Sequence, residues 1–269
     1  MKVFSRYAAC YDALYEDKDY QSETRFVLKL LRKYGVRDGV ILELGCGTGA
    51  YTVLFAKYFG AVVGVDFSLG MLAQAKMKLE RLPEKSAKKI CFRYGDIRTI
   101  RLRRKFNAVL AMFHVLSYME NNRDLAAAFE TAASHLCDDG LFLCDFWYGP
   151  GVLSDPPKHR TKKVENAEQS IMRSATPQLY PSRNAVLVRY DIAYRNKHEG
   201  IRHHVKEEHI MRYLFKPEID EFCQRAGFQL VEFGEWMTGK EPTLKTWNAY
   251  VVARKPPSYS QRGRGDRRV

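Results

Sequence analysis

The sequence predicts an α/β fold: a mostly parallel sheet covered by helices, with an antiparallel sheet inserted after the fifth strand. Three observations support this prediction. Apolar runs typical of buried strands alternate with helical patterns through residues 40–146. The first run ends in glycines at alternate positions, which suits a sharp turn from a strand into a helix. Beyond residue 151 the alternation stops, and long β-type runs separated by turn residues follow.

The region before the first strand predicts two helices. Tyr7, Tyr11 and Tyr15 recur at every fourth position and share one face of a helix over residues 5–17. This face either packs on the body of the protein or lies over a bound ligand, and the pattern favours neither. A second helix, predicted over residues 20–34, leads into the first strand.

The first two strands carry features that point to a bound nucleoside. Residues 40–49 read VILELGCGTG, an apolar strand followed by three alternate glycines. Because glycine lacks a Cβ atom, a ligand can lie against the bare peptide groups of such a turn. Residues 62–66 form the second predicted strand, and its last residue, Asp66, is placed to accept hydrogen bonds from the hydroxyls of a ribose. The two features together predict an adenosine-like cofactor.

The glycine spacing argues against a dinucleotide. Turns that bind dinucleotides read G-x-G-x-x-G and present the following helix to a pyrophosphate. Here the glycines alternate, and the bulky Tyr51 near the helix start does not suit close approach of a pyrophosphate.

Three more strands and three helices complete the predicted parallel part of the sheet. The third strand covers residues 90–94 and is followed by Gly-Asp-Ile at 95–97, the fourth covers 106–114, and the fifth covers 136–146. The intervening helices are predicted over residues 50–59, 69–82 and 121–136. Such alternation implies parallel strands joined by right-handed crossovers.

The second half of the chain predicts an insertion followed by a return to the first sheet. Long β-type runs over residues 160–215 are broken by turn signals at 181–184 and 196–200, as in an antiparallel sheet. A helix over 218–226 and two strands near 228–236 and 246–254 follow. Four units are predicted. Residues 1–148 form a cofactor-binding core with N-terminal helices, and residues 149–215 form an inserted sheet that covers the pocket of the second substrate, the acceptor. Residues 216–254 return to the core sheet, and residues 255–269 form a disordered basic tail.

Composition narrows the classes of protein to consider. The chain has 269 residues, 46% of them hydrophobic, with no apolar run of membrane-spanning length and no signal-peptide core at its start. Its six cysteines include no C-x-x-C pair, so reduced thiols in the cytoplasm are expected, and no metal site is predicted. The net charge is +13, of which the residues from Arg254 onward carry six basic side chains against Asp266.

The order of these features resembles that of class I S-adenosylmethionine (SAM) methyltransferases. In that family, an acidic residue followed by alternate glycines forms the first motif. The resemblance implies that Asp96 bonds the adenine amino group and that Ile97 packs on the adenine ring. It also implies a Rossmann-like sheet of seven strands, mostly parallel, and SAM as the cofactor.

Three segments resemble a narrower group, the small bacterial sugar methyltransferases of the nucleotide-amino-sugar N,N-dimethyltransferase type. They read YDALY with KDY at 11–20, MFHVLSY at 112–118 and DFWYGP at 145–150, within a resemblance over about residues 5–255. The resemblance implies methyl transfer to an amine or hydroxyl of a small molecule, such as a nucleotide-linked sugar. One departure affects the acceptor: the dimethyltransferases carry a histidine where this chain has Tyr118, whereas its own histidine comes earlier, at His114.

The candidate site residues fall into three groups. As cofactor-binding residues we expect Tyr15, Glu43, Gly45, Cys46, Gly47, Gly49, Asp66, Phe67, Ser68, Met71, Asp96, Ile97 and Met112. As catalytic residues we expect His114, as a base or an acceptor-orienting group, with Tyr118 and Tyr11. For the substrate we expect aromatic stacking or charge pairing from Asp145, Trp147, Tyr148, His209, Arg212 and Lys240.

A second class of acceptor stays open at this stage. The basic surface and tail are compatible with an RNA or protein methyltransferase. Amino methyltransferases of nucleic acids, however, usually carry an N/D/S-P-P-aromatic motif after the fourth strand, where this chain reads Ala-Met-Phe-His at 111–114. A nucleotide-sugar acceptor without nucleic-acid or membrane partners is therefore our first expectation, and a homodimer is considered.

Overall fold

The computed structural model describes residues 7–167, 169–197 and 200–257 of the 269-residue chain. Within these residues, eleven strands form two sheets. In chain order the strands are β1 (Val40–Leu44), β2 (Ala61–Asp66), β3 (Ile90–Tyr94), β4 (Phe106–Ala111), β5 (Leu136–Trp147), β6 (Arg160–Glu165), β7 (Gln169–Tyr180), β8 (Ala185–Asn196), β9 (Arg202–Arg212), β10 (Gln229–Glu235) and β11 (Asn248–Arg254).

The helices connect and cover these strands. In chain order they are α1 (Ala8–Leu14), α2 (Tyr20–Lys33), α3 (Ala50–Phe55), α4 (Leu69–Glu80), α5 (Glu84–Ala87), α6 (Asn122–His135), α7 (Gly149–Ser154) and α8 (Lys216–Arg225). Side chains of Asp19, Ser68 and Asn121 accept backbone N–H groups at the starts of α2, α4 and α6, which satisfies donors that a helix leaves unpaired. Among the described residues, no helix has both the length and the apolar character needed to cross a bilayer.

The larger sheet has the strand order β10-β11-β5-β4-β1-β2-β3. Strands β1 to β5 pair in parallel, whereas β11 runs antiparallel to both β5 and β10. The chain moves outward from β1 through β2 to β3 and then crosses back to β4 on the other side of β1. In open α/β sheets, ligands bind at the carboxyl ends of the strands beside such a reversal. The predicted fold class is confirmed.

Apolar side chains fill both faces of the larger sheet. One face packs on α6 and α8, where the Phe129 and Phe142 rings meet edge to face with centroids 5.3 Å apart. The other face packs on α2 and α3, where Leu31 and Phe55 are fully buried. Because both faces are covered, the central strands are apolar almost throughout, which is why they could be recognised in the sequence.

Strands β6 to β9 form a separate antiparallel sheet whose neighbours follow chain order. Its inner face packs on α1: Tyr7, Cys10 and Leu14 of the helix contact Ile171 and Ile192 of the sheet. Helix α1 therefore forms a layer between the inserted sheet and the core.

Local differences from the predicted elements have simple causes. Helix α3 ends at Phe55 rather than at residue 59 because the N–H groups of Lys57 and Tyr58 bond to carbonyls three residues back, which tightens the last turn. The short helices α5 and α7 were not predicted because four or six residues give no clear period. Helix α1 covers 8–14 of the predicted 5–17; residues 5 and 6 of that predicted helix and residues 258–269 of the predicted tail lie outside the described residues.

A substitution at Gly151 tests how the inserted sheet is joined to the core. A Cβ atom at this position would overlap the Thr246 carbonyl oxygen and lie 3.0 Å from the Trp247 nitrogen. We expect Gly151→Ala to lower the free energy of unfolding by about 1–3 kcal/mol, because α7 must move away from the chain entering β11. Urea unfolding measures this change. Leu153→Ala, at an exposed position of the same helix, is the matched control, and an unchanged Gly151→Ala midpoint would contradict the packing.

Candidate functional site

A cavity of about 560 Å³ opens at the carboxyl ends of β1, β2 and β4, with α1 and the inserted sheet as further walls. It has the size of a small-molecule site. Among the described residues it is lined by most of the predicted site residues: Tyr11, Tyr15, Glu43, Gly45, Cys46, Gly47, Asp66, Phe67, Met71, Asp96, Ile97, Met112, His114, Tyr118, Trp147 and His209.

The glycine turn after β1 forms the floor of this cavity. Gly45, Gly47 and Gly49 all have positive φ, at 72°, 53° and 76°, which other residues adopt only with strain. A Cβ atom on Gly45 would also lie 2.5 Å from a methyl group of Val115. The Val65 carbonyl of β2 accepts the N–H groups of Gly45 and Cys46. The turn therefore presents bare backbone to the cavity.

The Asp66 carboxylate joins the ends of β1 and β2. Its Oδ2 accepts the Gly47 N–H and its Oδ1 accepts the Ser68 N–H, both at 2.8 Å. Burial raises the pKa of this carboxyl above its usual value, and the two backbone hydrogen bonds partly offset that effect. Asp66 thus positions the glycine turn as well as lining the cavity where a ribose is expected.

Glu43 is a buried acid on the cavity wall. It is 1% exposed, and its carboxyl accepts a hydrogen bond from the Thr52 hydroxyl. Burial raises the pKa of Glu43 to about 8, with a smaller contribution from the nearby Asp66. The group is therefore mostly neutral at neutral pH and will ionise more readily when a cation lies beside it.

Asp96 is held by a neighbour that the sequence analysis missed. Arg98 lies on both carboxylate oxygens of Asp96, and its other arm donates to Asp124 at 2.7 Å. The Arg98 hydrogen bond lowers the pKa of Asp96. All three side chains line the cavity. The spacing Asp-x-Arg in the turn after β3 was visible in the sequence, but the third member, Asp124, lies on α6.

Helix α1 is tied to the glycine turn and to the inserted sheet. Asp12 accepts hydrogen bonds from the Thr48 hydroxyl at 2.6 Å and from Lys78 of α4 at 2.8 Å. On the other side, Arg173 of β7 donates to the hydroxyls of Tyr7 at 3.0 Å and Tyr15 at 3.1 Å. These bonds hold the tyrosine face of α1 over the cavity.

The exit from β4 is the most strained part of the site. Phe113 and His114 are successive non-glycine residues in the left-handed region, with φ of 64° and 63°. Asp145 of β5 accepts the backbone N–H of His114 at 3.1 Å, and its second oxygen lies 2.8 Å from His114 Nδ1. Left-handed conformations of this kind cluster at functional sites, where surrounding bonds maintain them. Asp145 lies behind the cavity wall and positions His114.

The remaining predicted residues lie outside the lining of the cavity. Arg212 is buried and bonds to Asn122 and Glu218, so it stabilises the junction of β9, α6 and α8. Lys240 is exposed in the loop before β11, and Tyr148 packs on Phe233. Gly49 and Ser68 are the N-cap residues immediately before α3 and α4. We therefore no longer assign Arg212, Lys240 or Tyr148 to the substrate.

Comparison with known proteins agrees with this geometry. A methyltransferase domain family matches residues 41–140. The dTDP-3-amino-3,4,6-trideoxy-alpha-D-glucopyranose N,N-dimethyltransferase of Streptomyces venezuelae is 27% identical over 83% of this chain and 90% of its own length. The dTDP-3-amino-3,6-dideoxy-alpha-D-glucopyranose N,N-dimethyltransferase of Streptomyces fradiae is 28% identical, with 84% of each chain covered.

Solved structures share the fold. DesVI of Streptomyces venezuelae superposes with a TM-score of 0.76 at 24% identity, covering 94% of this chain and 98% of its own. A SAM-dependent methyltransferase from Clostridium acetobutylicum gives 0.78 at 20% identity, covering 93% and 98%.

The sheet order and the glycine turn are those of class I SAM-dependent methyltransferases, and the match of residues 41–140 to a methyltransferase domain agrees with them. Within this class the chain is similar to the small bacterial sugar methyltransferases, as its sequence predicted. Its cofactor is SAM, and the residues suit that group: a glycine cradle, part of which a Cβ atom would fill, with buried Glu43 and Asp66 beside it. Among the described residues, no group of three side chains is arranged to hold a metal ion.

The raised pKa of Glu43 predicts pH-dependent cofactor binding. If the ammonium of SAM lies beside Glu43, its positive charge favours the ionised carboxylate, so that binding below the pKa of about 8 would be coupled to loss of the carboxyl proton. We expect the affinity for SAM to rise with pH, by at most about tenfold per unit, and to level off above the pKa. Calorimetry from about pH 6 to about pH 9 measures this dependence. Glu43→Gln, which has no proton to lose, is the control; the same slope in both proteins would remove Glu43 from the linkage.

Proposed function

We propose that this enzyme transfers a methyl group from SAM to an amine of a nucleotide-linked sugar, with a sugar hydroxyl as the second acceptor to test. The observation that carries the proposal is a single cavity with two chemically different ends. One end has the glycine turn and the acids Glu43 and Asp66; the other has aromatic and imidazole side chains beneath the inserted sheet, among them His114 and Trp147.

Two further facts support a small acceptor. Two curated relatives that align with more than four fifths of this chain are named as dimethyltransferases of dTDP-linked amino sugars. Helix α1 and the inner face of the inserted sheet form two walls of the acceptor end, so that a monosaccharide unit would contact both. Trp147 and the tyrosines of α1 offer flat apolar surfaces on which a sugar ring can stack.

The protein's contribution to the reaction is mainly to position the acceptor. SAM, when bound, supplies an activated methyl group. Holding the acceptor atom in line with that group contributes about 7–11 kcal/mol in favourable cases. In the proposal, His114 orients the acceptor and accepts its proton, Asp145 holds the histidine ring, and Tyr11 and Tyr118 complete the wall around the acceptor. For a hydroxyl acceptor such a base contributes about 10²–10⁴-fold, and for an amine less.

RNA or protein remains the competing class of acceptor only on grounds of charge. The net charge of +13 includes a tail whose residues 258–269 lie outside the described residues. The proposal also includes a cytoplasmic location, because all six cysteines are free thiols, which suits a reducing compartment.

Methyl incorporation from labelled SAM tests the proposal directly. The acceptors are a panel of dTDP-linked amino sugars that includes dTDP-3-amino-3,6-dideoxyglucose, each paired with the analogue carrying a hydroxyl in place of the amine. Total RNA and a cell extract are assayed in parallel. We expect label in the amino sugars, with mass spectrometry locating it on nitrogen. Label in RNA or protein alone, lost when the chain is truncated after Lys255, would overturn the proposal in favour of the competing class.

A substitution of His114 tests its assigned role. We expect His114→Ala to lower kcat about tenfold or more, since the acceptor loses the group that orients it and takes its proton. Affinity for SAM, measured by calorimetry, should stay within about twofold, because the variant changes the acceptor end of the cavity. His159→Ala, at an exposed position, is the control. Full turnover by His114→Ala would remove His114 from the mechanism.

A further inference from the structure

A chain of three polar side chains crosses from the core to the inserted sheet at the acceptor end of the cavity. The Tyr118 hydroxyl, on the turn that follows β4, lies 3.0 Å from His209 Nδ1 on β9. His209 Nε2 lies 3.2 Å from Glu207 Oε2 on the same strand. His209 is 1% exposed and Glu207 is 8% exposed. Tyr118 and His209 line the cavity, whereas Glu207 lies behind them.

The inward position of Glu207 is unusual for a carboxylate. Its neighbours on the inner face of β9 are Val205, His209 and Met211, all buried, whereas Glu208 points outward and pairs with Arg189. Burying a charge is unfavourable unless it has strong partners. A hydrogen bond to the His209 ring gives Glu207 one such partner, and the ring itself is held edge-on by Tyr190 with centroids 4.8 Å apart.

The order of these groups determines where the protons lie. A carboxylate accepts hydrogen bonds, so Glu207 favours the His209 tautomer with its proton on Nε2. Nδ1 then has no proton and accepts the hydroxyl proton of Tyr118. With that proton directed to His209, the phenolic oxygen of Tyr118 acts as an acceptor toward every other group that it meets.

Like Tyr118, His114 has an atom that is left to accept a hydrogen bond. Its Nδ1 is 2.8 Å from an Asp145 oxygen, although the two are not aligned as in a hydrogen bond. The negative charge so close to Nδ1 favours a proton there rather than a lone pair, and Nε2 is then the nitrogen that accepts. Tyr118 and His114 thus line one cavity, four positions apart. A carboxylate favours the accepting state of each, through the His209 ring for Tyr118 and by the proximity of its charge for His114.

We propose that Glu207 and His209 are positioning residues that fix Tyr118 as a hydrogen-bond acceptor, so that Tyr118 and His114 together grip the two N–H groups of a neutral primary amine. The proposal rests on the proposed function and deepens it. With both N–H groups bound, the nitrogen lone pair is turned away from the two acceptors. A hydroxyl has one proton and satisfies one acceptor, which leaves the other unpaired in a buried site. The arrangement therefore selects amines over hydroxyls.

A double-mutant cycle separates this role from a purely structural one. The acceptors are the dTDP-linked amino sugar turned over best by the wild type and its hydroxyl analogue. A glutamine at position 207 can offer His209 either an oxygen or an N–H group, so it no longer selects one tautomer. We expect Glu207→Gln to lower kcat/KM for the amine about 3- to 10-fold and to reduce the amine-to-hydroxyl preference. Tyr118→Phe should lower kcat/KM for the amine and the amine-to-hydroxyl preference at least as much as Glu207→Gln does.

The double variant gives the decisive comparison. Because Glu207 acts through Tyr118, Tyr118→Phe with Glu207→Gln should match Tyr118→Phe alone within about twofold. Glu208→Gln, on the outer face of the same strand, should behave as wild type. The proposal would be overturned if the loss of kcat/KM in the double variant equalled the product of the losses in the two single variants. An unchanged amine-to-hydroxyl preference in Glu207→Gln would also overturn it. SAM affinity by calorimetry verifies that each variant is folded.

A spectroscopic measurement decides the question without turnover. In wild-type protein with ¹⁵N-labelled histidine, His209 should show a protonated Nε2 and an unprotonated Nδ1; His209→Gln assigns the signals. A proton on Nδ1 would overturn the inference even if amino sugars are methylated. If no amino sugar is methylated, the proposed function fails, and the tautomer of His209 still decides whether Tyr118 is held as an acceptor.

Discussion

The site depends first on the Asp66 carboxylate, which holds the ends of two neighbouring parallel strands in one arrangement. Three glycines in the left-handed region have little intrinsic preference for a single conformation, so the turn after β1 needs external bonds. Asp66 supplies one to Gly47, and the Val65 carbonyl supplies two more from the same strand. A side chain expected to contact the cofactor is thus also a structural part of the cradle, and loss of Asp66 would affect ribose contact and turn geometry together.

The acceptor end depends on a second set of contacts, arranged around α1. This helix bonds to the glycine turn through Asp12 and Thr48, and to the inserted sheet through Arg173, Tyr7 and Tyr15. The cofactor cradle and the acceptor cover are therefore connected through one short helix of seven residues. Such a helix is marginal by itself, and its stability comes from packing against both neighbours. Cofactor-binding residues and the cover of the acceptor site are for this reason parts of one packed unit.

The sequence was sufficient for the features that depend on local pattern. The buried strands, the glycine turn and Asp66 are recognisable because each requires particular residue types at a fixed spacing. The pairing of His114 with Asp145 and of Tyr118 with His209 joins residues 31 and 91 positions apart, and only the folded chain brings them together. Charge alone misled in the case of Arg212: a buried arginine needs a partner, and it found Glu218 six residues away rather than a substrate. Residue type indicates the chemistry available to a side chain, whereas topology determines its partner.

The exit from β4 shows why a site can retain a conformation that its residue types disfavour. Two successive non-glycine residues with positive φ cost about 1–2 kcal/mol each. Glycine at position 113 or 114 would relieve this strain, but it would also remove the rings that contact Tyr15, Lys18 and Trp147. The left-handed pair ends the strand abruptly and turns the chain so that His114 and Tyr118 both line the cavity. The Asp145 hydrogen bond to the His114 backbone offsets part of the strain, and the second oxygen of the same carboxylate lies 2.8 Å from Nδ1 of the imidazole. A single buried acid thereby stabilises an unfavourable backbone and orients the side chain that this backbone presents.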